Sequence, residues 1–349
     1  MATLSTPLTA LLGIKHPILL AGMAHTSTAP LASAVSSAGG LGVIGGLGYS
    51  PSQLRSMIHE LKSALSSPDL PFGVDLALPK VGEGARKTNH DYTHGQLDQL
   101  VDVIIEEGAK LFVSAVGVPP GRVVRRLHEG GVVVMNMVGA PKHAQKAFDA
   151  GVDIVCAQGA EGGGHTGEIP TVVLVPACVD VAKRYRPEML KGAPGMVVAA
   201  GGIYDGRGLA GSLAMGAVGV WVGTRFLASE EAGCSKMQKE AVVTAGFGDT
   251  IKTLVVSGRP LRVKKNEWVE SWEARPEEIK QLTEAGIVPM TKDMDEEKEV
   301  DMPFLMGQVA GVIGEIKPAR EIVEEMVRDA VDMLRTGQGF VRNERGSKL

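Results

Sequence analysis

The hydrophobic positions of this chain fall into short, almost uninterrupted runs that recur along most of its length. Eight runs rich in Val, Ile, Leu and Ala lie at 18–23, 41–45, 72–78, 111–116, 132–138, 153–158, 196–200 and 218–222. Short apolar runs without alternating polar positions are typical of parallel strands that are buried on both faces. The pattern therefore predicts eight buried parallel strands.

Segments with helical spacing of apolar residues separate these runs. The predicted helices are 29–38, 51–65, 96–107, 120–129, 141–150, 171–185 and 206–215. Several of them begin at Pro and are followed by Gly, which is the arrangement that helix ends prefer. Strands that alternate with helices favour an α/β fold of the (β/α)8 TIM-barrel type. A doubly wound open sheet stays an alternative, because periodicity alone cannot show that a sheet closes.

The alternation of predicted strands and helices ends after the eighth apolar run. A TIM barrel needs about 250 residues, whereas this chain has 349. We therefore expect the barrel to comprise 1–245 and 304–336, and 246–303 to form an insertion, or lid, that covers the catalytic end. The remaining residues, 337–349, are expected to form a flexible tail.

The insertion and the last helix have patterns of their own. Within the insertion, 253–263 is rich in Val and Leu, 276–285 has the pattern of an acidic helix, and the charged run 292–301 is interpreted as a solvated linker. The segment 319–334 carries one apolar stripe at helical spacing. Such a stripe predicts a final helix that packs back on the barrel.

Composition narrows the classes of function. Hydrophobic residues make up 44% of the chain, and the net charge of −4 gives no indication of a nucleic-acid or anionic-membrane partner. The three cysteines, Cys156, Cys178 and Cys234, are far apart and form no CxxC motif, so neither a disulfide framework nor a zinc site is predicted. No apolar run reaches the roughly 18 residues that span a bilayer.

The chain ends in Ser347, Lys348 and Leu349. Ser-Lys-Leu at a free C-terminus is an address that the peroxisomal import receptor binds, although chance could also produce it. We expect a peroxisomal location, or otherwise a cytoplasmic one.

Glycine-bearing strand ends predict a phosphate site. The active site of a barrel enzyme lies at the C-terminal ends of the strands, and a phosphate often binds after the seventh and eighth strands. Here Gly201 and Gly202 follow the seventh run, and Trp221, Gly223 and Thr224 end the eighth. Backbone N–H groups can approach a phosphate closely at glycine. The alternative is that these glycines serve only tight turns.

The sixth run ends in the most informative stretch of the sequence. Gln158 closes the strand, and a glycine-rich loop that includes Gly163 and Gly164 leads to His165. Histidine titrates near neutrality and can accept a proton from a carbon acid. The residues alone leave open whether His165 is a catalytic base or only bonds to the backbone of its loop.

The first and third runs supply further candidates. Gly22 and Met23 follow the first run, where Met23 could pack on a cofactor ring or on the core. Asp75 lies within the otherwise apolar third run. A buried carboxylate is costly unless it is paired, so Asp75 indicates a ligand contact or an ion pair.

Two other patterns give weaker evidence about function. Gly40, Gly42 and Gly45 satisfy GxGxxG, but they lie within a strand, so a dinucleotide fingerprint is rejected. His90 and His94 have helical i,i+4 spacing without an HExxH motif, so no metal site is predicted and a role in shaping the substrate pocket is expected.

Taken together, the sequence resembles the nitronate monooxygenase (2-nitropropane dioxygenase) family. Three blocks in order carry the resemblance, at 17–46, 151–176 and 199–227, and a weaker one follows at 303–334. The middle block contains Ala-Gln-Gly-x-Glu-x-Gly-Gly-His-x-Gly at 157–167, which is highly specific.

The resemblance implies a flavin, FMN, at the barrel mouth. Gly201, Gly202, Gly223 and Thr224 would hold the phosphate, with Trp221 at the end of the same strand. The residues that would lie near the flavin ring or ribityl chain are Gly22, Met23, Asp75, Gln158, Gly163 and Gly164. Asp75 stands where relatives often have Asn. His165 matches the family's catalytic histidine, and Gln308 is a weaker candidate for the same site.

The activity that the resemblance implies is oxidation of alkyl nitronates, and of nitroalkanes, by O2 to carbonyl compounds and nitrite. The partners would be the nitronate and O2, with a homodimer as a further expectation. The same blocks are similar to those of FMN-dependent NAD(P)H:quinone and enoyl-thioester reductases, which stay alternatives. A flavin-free lyase or aldolase is a third, although it would require a Schiff-base lysine or metal-binding carboxylates at strand ends.

Overall fold

The structure is a computed structural model that describes residues 3–341. Eight of its strands form one sheet in which every pair is parallel. These strands are β1 (Ile18–Leu20), β2 (Gly42–Gly45), β3 (Phe72–Ala77), β4 (Leu111–Ala115), β5 (Val133–Val138), β6 (Ile154–Gln158), β8 (Met196–Ala200) and β9 (Gly219–Val222). All eight predicted strands are present, most of them shortened by a residue or more at one end or both.

The sheet closes on itself between its first two strands. The strand order is β1-β9-β8-β6-β5-β4-β3-β2, so β1 and β2 stand at the two ends of the order. Leu20 N donates to Leu41 O at 2.9 Å, and Leu41 N donates to Ile18 O at 2.9 Å. These hydrogen bonds join the two ends, which confirms the TIM barrel and excludes the doubly wound sheet.

Helices alternate with the barrel strands, and the first of them precedes β1. They are α1 (Pro7–Leu12), α2 (Ala29–Ser37), α3 (Pro51–Ala64), α4 (Leu97–Glu106), α5 (Gly121–Glu129), α6 (Pro141–Asp149), α7 (Thr171–Ala182), α8 (Gly206–Ala214), α9 (Thr224–Leu227) and α10 (Lys236–Val243). Short 3₁₀ helices lie at Glu188–Leu190 and Gln308–Val312. The last helix, α14 (Ala319–Gly339), packs mainly against α8 and α2, as its apolar stripe predicts.

Two apolar cores hold the barrel together. The larger lies between the strands and the surrounding helices. The smaller fills the interior, where Leu19, Val113 and Val198 from different strands pack together. Leu8 and Leu12 of α1 join this interior core and are fully buried, so α1 covers the N-terminal end of the barrel. The interior is therefore a packed core with its open end on the opposite side.

The insertion has a core of its own and a small antiparallel sheet. Its elements are β10 (Thr250–Thr253), β11 (Leu261–Lys264), α11 (Glu267–Glu273), α12 (Pro276–Ala285) and α13 (Pro289–Asp295). The third strand of the small sheet is β7 (Gly164–His165), which comes from the loop after β6. Trp268, Trp272 and Ile279 pack in the insertion core. The insertion is thus attached to the barrel through the loop that carries His165.

Two expectations about the C-terminal third differ from the structure. The charged run at 292–301 is not wholly a solvated linker, because it begins within α13 and Asp293 is buried. The final helix continues to Gly339, so the first residues of the expected flexible tail are helical. Ser347, Lys348 and Leu349 lie outside the described residues, and the peroxisomal address stays a prediction. In the described part of the chain, no helix is both long and apolar enough to cross a bilayer.

Replacing Asp293 tests how the insertion is held. The indole N–H groups of Trp268 and Trp272 both donate to Asp293 Oδ2, at 3.0 and 2.7 Å. Asp293→Ala leaves two buried donors without an acceptor, so we expect the free energy of unfolding to fall by about 2–3 kcal/mol. Chemical denaturation measures this. Asp293→Asn retains one acceptor oxygen and is the control, and equal loss in both variants would contradict the explanation.

Candidate active site

The loops that follow the barrel strands meet at the open end, where the sequence predicts the site. β6 ends at Gln158, and the loop after it turns back to form β7 with His165. Gln158 Nε2 donates to His165 O at 2.7 Å. The side chain that ends the strand thus holds the backbone of the predicted catalytic residue in place.

The insertion fixes His165 from the other side. Leu261 and Arg262 of β11 pair with His165 and Gly164 of β7. His165 Nε2 and Ser257 Oγ are 2.9 Å apart and share a hydrogen bond. Because both the strand pairing and the side-chain bond come from the insertion, the orientation of the imidazole depends on it.

The environment of His165 favours the uncharged imidazole. Burial, and to a smaller extent the positive charge of Arg259, lower the pKa of His165 to about 4. The ring is therefore neutral at physiological pH. A neutral imidazole of this kind forms directed hydrogen bonds but is a weak base.

Asp75 is perturbed in the opposite direction. Burial raises its pKa to about 8, so the carboxyl group is mostly protonated at neutral pH. Its Oδ1 has no hydrogen-bond partner, and the group lies so close to Gly22 that a Cβ there would overlap it. A protonated carboxyl offers one donor and one acceptor, as an amide does. The protonated Asp75 can therefore make the kind of contact that an amide side chain would make.

Two adjacent glycines after β8 have left-handed backbone conformations. The φ angles of Gly201 and Gly202 are 87° and 73°, which other residues rarely adopt. A Cβ at Gly201 would lie 2.8 Å from Gly159 O, and one at Gly202 would lie 3.4 Å from Glu161 Cβ. The carboxylate of Glu161 is turned toward Thr171, whose N and Oγ1 donate to it. The exposed backbone at this turn is suited to hold a phosphate.

The end of β9 adjoins the end of β1. Met23 Sδ lies 3.7 Å from the position of a Cβ at Gly223, so the two predicted residues are neighbours. Thr224 Oγ1 accepts a hydrogen bond from Gly307 N at 2.9 Å. Trp221 is only 5% exposed and packs in the barrel interior, so it supports the floor of the site from below.

The segment before the last helix also reaches the site. A Cβ at Gly163 would lie 2.6 Å from Gly307 N, so this glycine allows close backbone packing. Gln308 N donates to Glu161 O at 3.0 Å, whereas the side chain of Gln308 is exposed. The backbone of 307–308, more than the Gln308 side chain, therefore shapes the site.

Three functional candidates in the insertion were not predicted from the sequence. They are Ser257, Arg259 and Arg262. Arg262 is buried and donates to Ala160 O at 3.0 Å, which ties β11 to the loop after β6. The only sequence signal was the Val- and Leu-rich piece at 253–263, which contains the turn between β10 and β11.

The other predicted histidines lie at the periphery. His90 is exposed and packs against Tyr92 with ring centroids 4.1 Å apart, and His94 is also exposed. His25 has a left-handed φ of 57° and contacts Tyr49 edge to face. Among residues 3–341, no group of three or more His, Cys, Asp or Glu side chains could hold a metal ion.

These features fit a flat, phosphate-bearing cofactor. The left-handed turn at Gly201 and Gly202 could accept its phosphate, and the unpartnered Oδ1 of Asp75 could bond to its polar ring edge. Met23, beside Gly223, could cover an apolar ring face.

The amino-acid sequence was also compared with models of known protein families. Residues 5–329 match the model of the nitronate monooxygenase family. The chain belongs to the nitronate monooxygenase family. Membership makes it a flavin oxidoreductase and confirms the family that the sequence motifs indicated.

Individual relatives differ in their named activities. A 5-hydroxy-7a-methyl-1-oxo-octahydro-1H-indene-4-carboxyl-CoA dehydrogenase of Mycobacterium tuberculosis is 32% identical and covers 97% of this chain and 99% of its own length. The structure of FabK from Thermotoga maritima is 34% identical, with a TM-score of 0.79 over 97% of this chain and 100% of that one. A nitroalkane oxidase structure from Streptomyces ansochromogenes is 26% identical, with a TM-score of 0.77 over 95% and 100%. Proteins that are similar to this chain over nearly its whole length thus carry the names of different activities.

The protonation state of Asp75 can be tested through stability. The carboxyl keeps its proton in the folded protein up to a pKa of about 8, whereas the unfolded chain loses it near 3.8. Between these values only the unfolded state releases a proton, so stability falls as pH rises. We expect chemical denaturation to show that Asp75→Asn removes at least about 1 kcal/mol of the stability loss between pH 5 and pH 8. The same pH slope in both proteins would contradict a raised pKa.

Proposed function

We propose that this chain binds FMN at the open end of the barrel and oxidises alkyl nitronates with O2 to carbonyl compounds and nitrite. The observation that carries the proposal is the neutral, hydrogen-bonded His165 at this end of the barrel in a member of the nitronate monooxygenase family. FMN, when bound, supplies the electron acceptor that O2 regenerates.

The residues predicted to contact FMN fall into two groups. Gly201, Gly202, Gly223 and Thr224 would hold its phosphate. Gly22, Met23, Asp75, Gln158, Gly163 and Gly164 would surround its ring and ribityl chain, and Trp221 would support the site from the interior. Asp75, as a protonated carboxyl, would donate a hydrogen bond, and Met23 would pack on the ring.

The neutral state of His165 bears on the substrate. A base whose conjugate acid has a pKa of about 4 removes a proton from a neutral nitroalkane slowly. A nitronate has already lost that proton, so His165 needs only to orient it by hydrogen bonding. We therefore propose that preformed nitronates are better substrates than nitroalkanes.

A second candidate is reduction of a quinone or an enoyl thioester with NAD(P)H. The observation that favours it is the similarity to a protein named as a carboxyl-CoA dehydrogenase, which extends over 97% of this chain and so includes the insertion. On this alternative, His165 would hydrogen-bond the carbonyl oxygen of the acceptor rather than a nitronate.

Substitution of His165 tests its role in the proposed reaction. We expect the FMN-loaded wild type to release nitrite from an alkyl nitronate with uptake of O2. His165→Asn should retain FMN and lower kcat/KM about 100-fold for the neutral nitroalkane, because Asn cannot accept the proton. The loss for the preformed nitronate should be smaller, about tenfold.

Ser257→Ala is the matched control, because it removes only the hydrogen bond to His165. We expect it to lower kcat about fivefold, as the loss of one hydrogen bond would. Absence of nitrite from the wild type would contradict nitronate oxidation. Unchanged nitroalkane turnover in His165→Asn would remove His165 from the base role.

A further inference from the structure

Four basic side chains belong to two segments that contact each other at the barrel mouth. Lys80, Arg86 and Lys87 belong to the loop between β3 and α4 and are exposed. Arg259 comes from the insertion, in the turn that also carries Ser257. Within residues 3–341, no carboxylate oxygen lies within 4.0 Å of the charged nitrogens of these four side chains. We call these four residues the basic rim.

Arg259 is the inner member of the basic rim. Its Nη2 donates to Val116 O at 2.8 Å, and its Nη1 donates to Asn89 Oδ1 at 3.2 Å. Burial lowers the pKa of Arg259, and the neighbouring charge of Arg86 lowers it further. A partly buried guanidinium without a carboxylate is costly, because burial disfavours the charged form. A bound anion would offset this cost.

The backbone at this contact is strained. Val116, whose carbonyl oxygen accepts from Arg259, has a φ of 70°. A β-branched residue rarely adopts this left-handed conformation, and such strain is concentrated at binding and catalytic sites. The position of Arg259 is therefore maintained against a conformational cost.

The loop that carries the outer members is held in place by the insertion. Asn89 Nδ2 donates to Lys80 O at 2.7 Å, so the two ends of the loop are joined. A Cβ at Gly258 would lie 2.5 Å from Thr88, and one at Gly286 would lie 2.9 Å from Lys87 Cβ. The loop packs directly on two turns of the insertion, which keeps the positive charges together.

Arg86 is the positive group that acts on the pKa of Arg259. Its charge repels that of Arg259. Arg259 in turn lowers the pKa of His165, where burial is the larger cause. It also lowers the pKa of His143, where burial and two lysines are the larger causes. Tyr92 is the one neighbour that acts in the opposite direction. The same loop carries two acidic residues, Glu83 and Asp91, and the Asp91 carboxylate accepts from the backbone of Thr93 and Gly95. Together with Arg259 the region keeps a net positive charge that begins beside His165 and extends to solvent.

We propose that the basic rim binds the phosphates of a nucleotide-bearing ligand whose reactive end reaches His165. A small nitronate needs one cation, whereas several lysines and arginines on two adjoining segments match the multiple charges of a diphosphate. Coenzyme A thioesters and nicotinamide dinucleotides share this chemistry. The inference rests on the second candidate function and adds to it a subsite for the phosphates, which a nitronate does not have.

Calorimetric titration of the FMN-loaded protein tests the proposal. The probes are ADP for the shared diphosphate, adenosine as the phosphate-free control, and CoA and NADPH for the two sources. Arg86→Gln/Lys87→Gln removes two charges of the basic rim outside the catalytic residues. Arg184→Gln/Arg186→Gln is the matched control, because these exposed arginines follow α7 at the opposite end of the barrel.

We expect ADP to bind more tightly than adenosine, and its affinity to fall about tenfold in the basic-rim variant but less than twofold in the control. The affinity should also fall as salt is raised. Tighter binding of CoA than of ADP identifies a thioester, whereas tighter binding of NADPH with bleaching of the flavin identifies a dinucleotide. Equal binding of ADP and adenosine, no binding of either, or equal losses in both variants would overturn the proposal.

Discussion

The short antiparallel pairing between β7 and β11 is the interaction on which the site depends. It joins Gly164 and His165 to Leu261 and Arg262, and so connects the loop after β6 with an insertion that begins about 80 residues later in the chain. Without it, the barrel would still close, because the hydrogen bonds between β1 and β2 do not involve the insertion. The barrel fixes where the strands end, and the pairing of β7 with β11 encloses His165.

The enclosure has an electrostatic consequence. Burial lowers the pKa of His165 to about 4 and raises that of Asp75 to about 8, so both groups are uncharged near neutrality. Arg259 lies near His165 and keeps its positive charge, because a guanidinium is protonated throughout the physiological pH range. The barrel mouth therefore has neutral polar groups and one partly buried cation. Such a site favours an anionic substrate, because the negative charge of the substrate is attracted to the guanidinium. This preference fits a nitronate, and it also fits the phosphates of a larger ligand.

The strands and the glycine-rich loops were predictable because their patterns are local. Continuous apolar runs mark buried parallel strands, and the Gln158 to His165 block lies within a few residues of one strand end. Closure of the sheet and the contacts of Ser257 and Arg259 were not predictable, because they join positions far apart in sequence. Asp293 shows a third limit. Its charged neighbours suggested a solvated linker, yet two tryptophans from α11 bury it as a hydrogen-bond acceptor.

Anaerobic reduction of the bound flavin tests the central claim most directly. The purified protein is mixed with an alkyl nitronate in one cell and with NADH or NADPH in another, and the visible flavin band is followed. The account predicts that the nitronate alone bleaches the band and that O2 restores it. A band that the nitronate leaves unchanged, while a nicotinamide nucleotide bleaches it rapidly, would contradict nitronate oxidation and place the chain among the reductases.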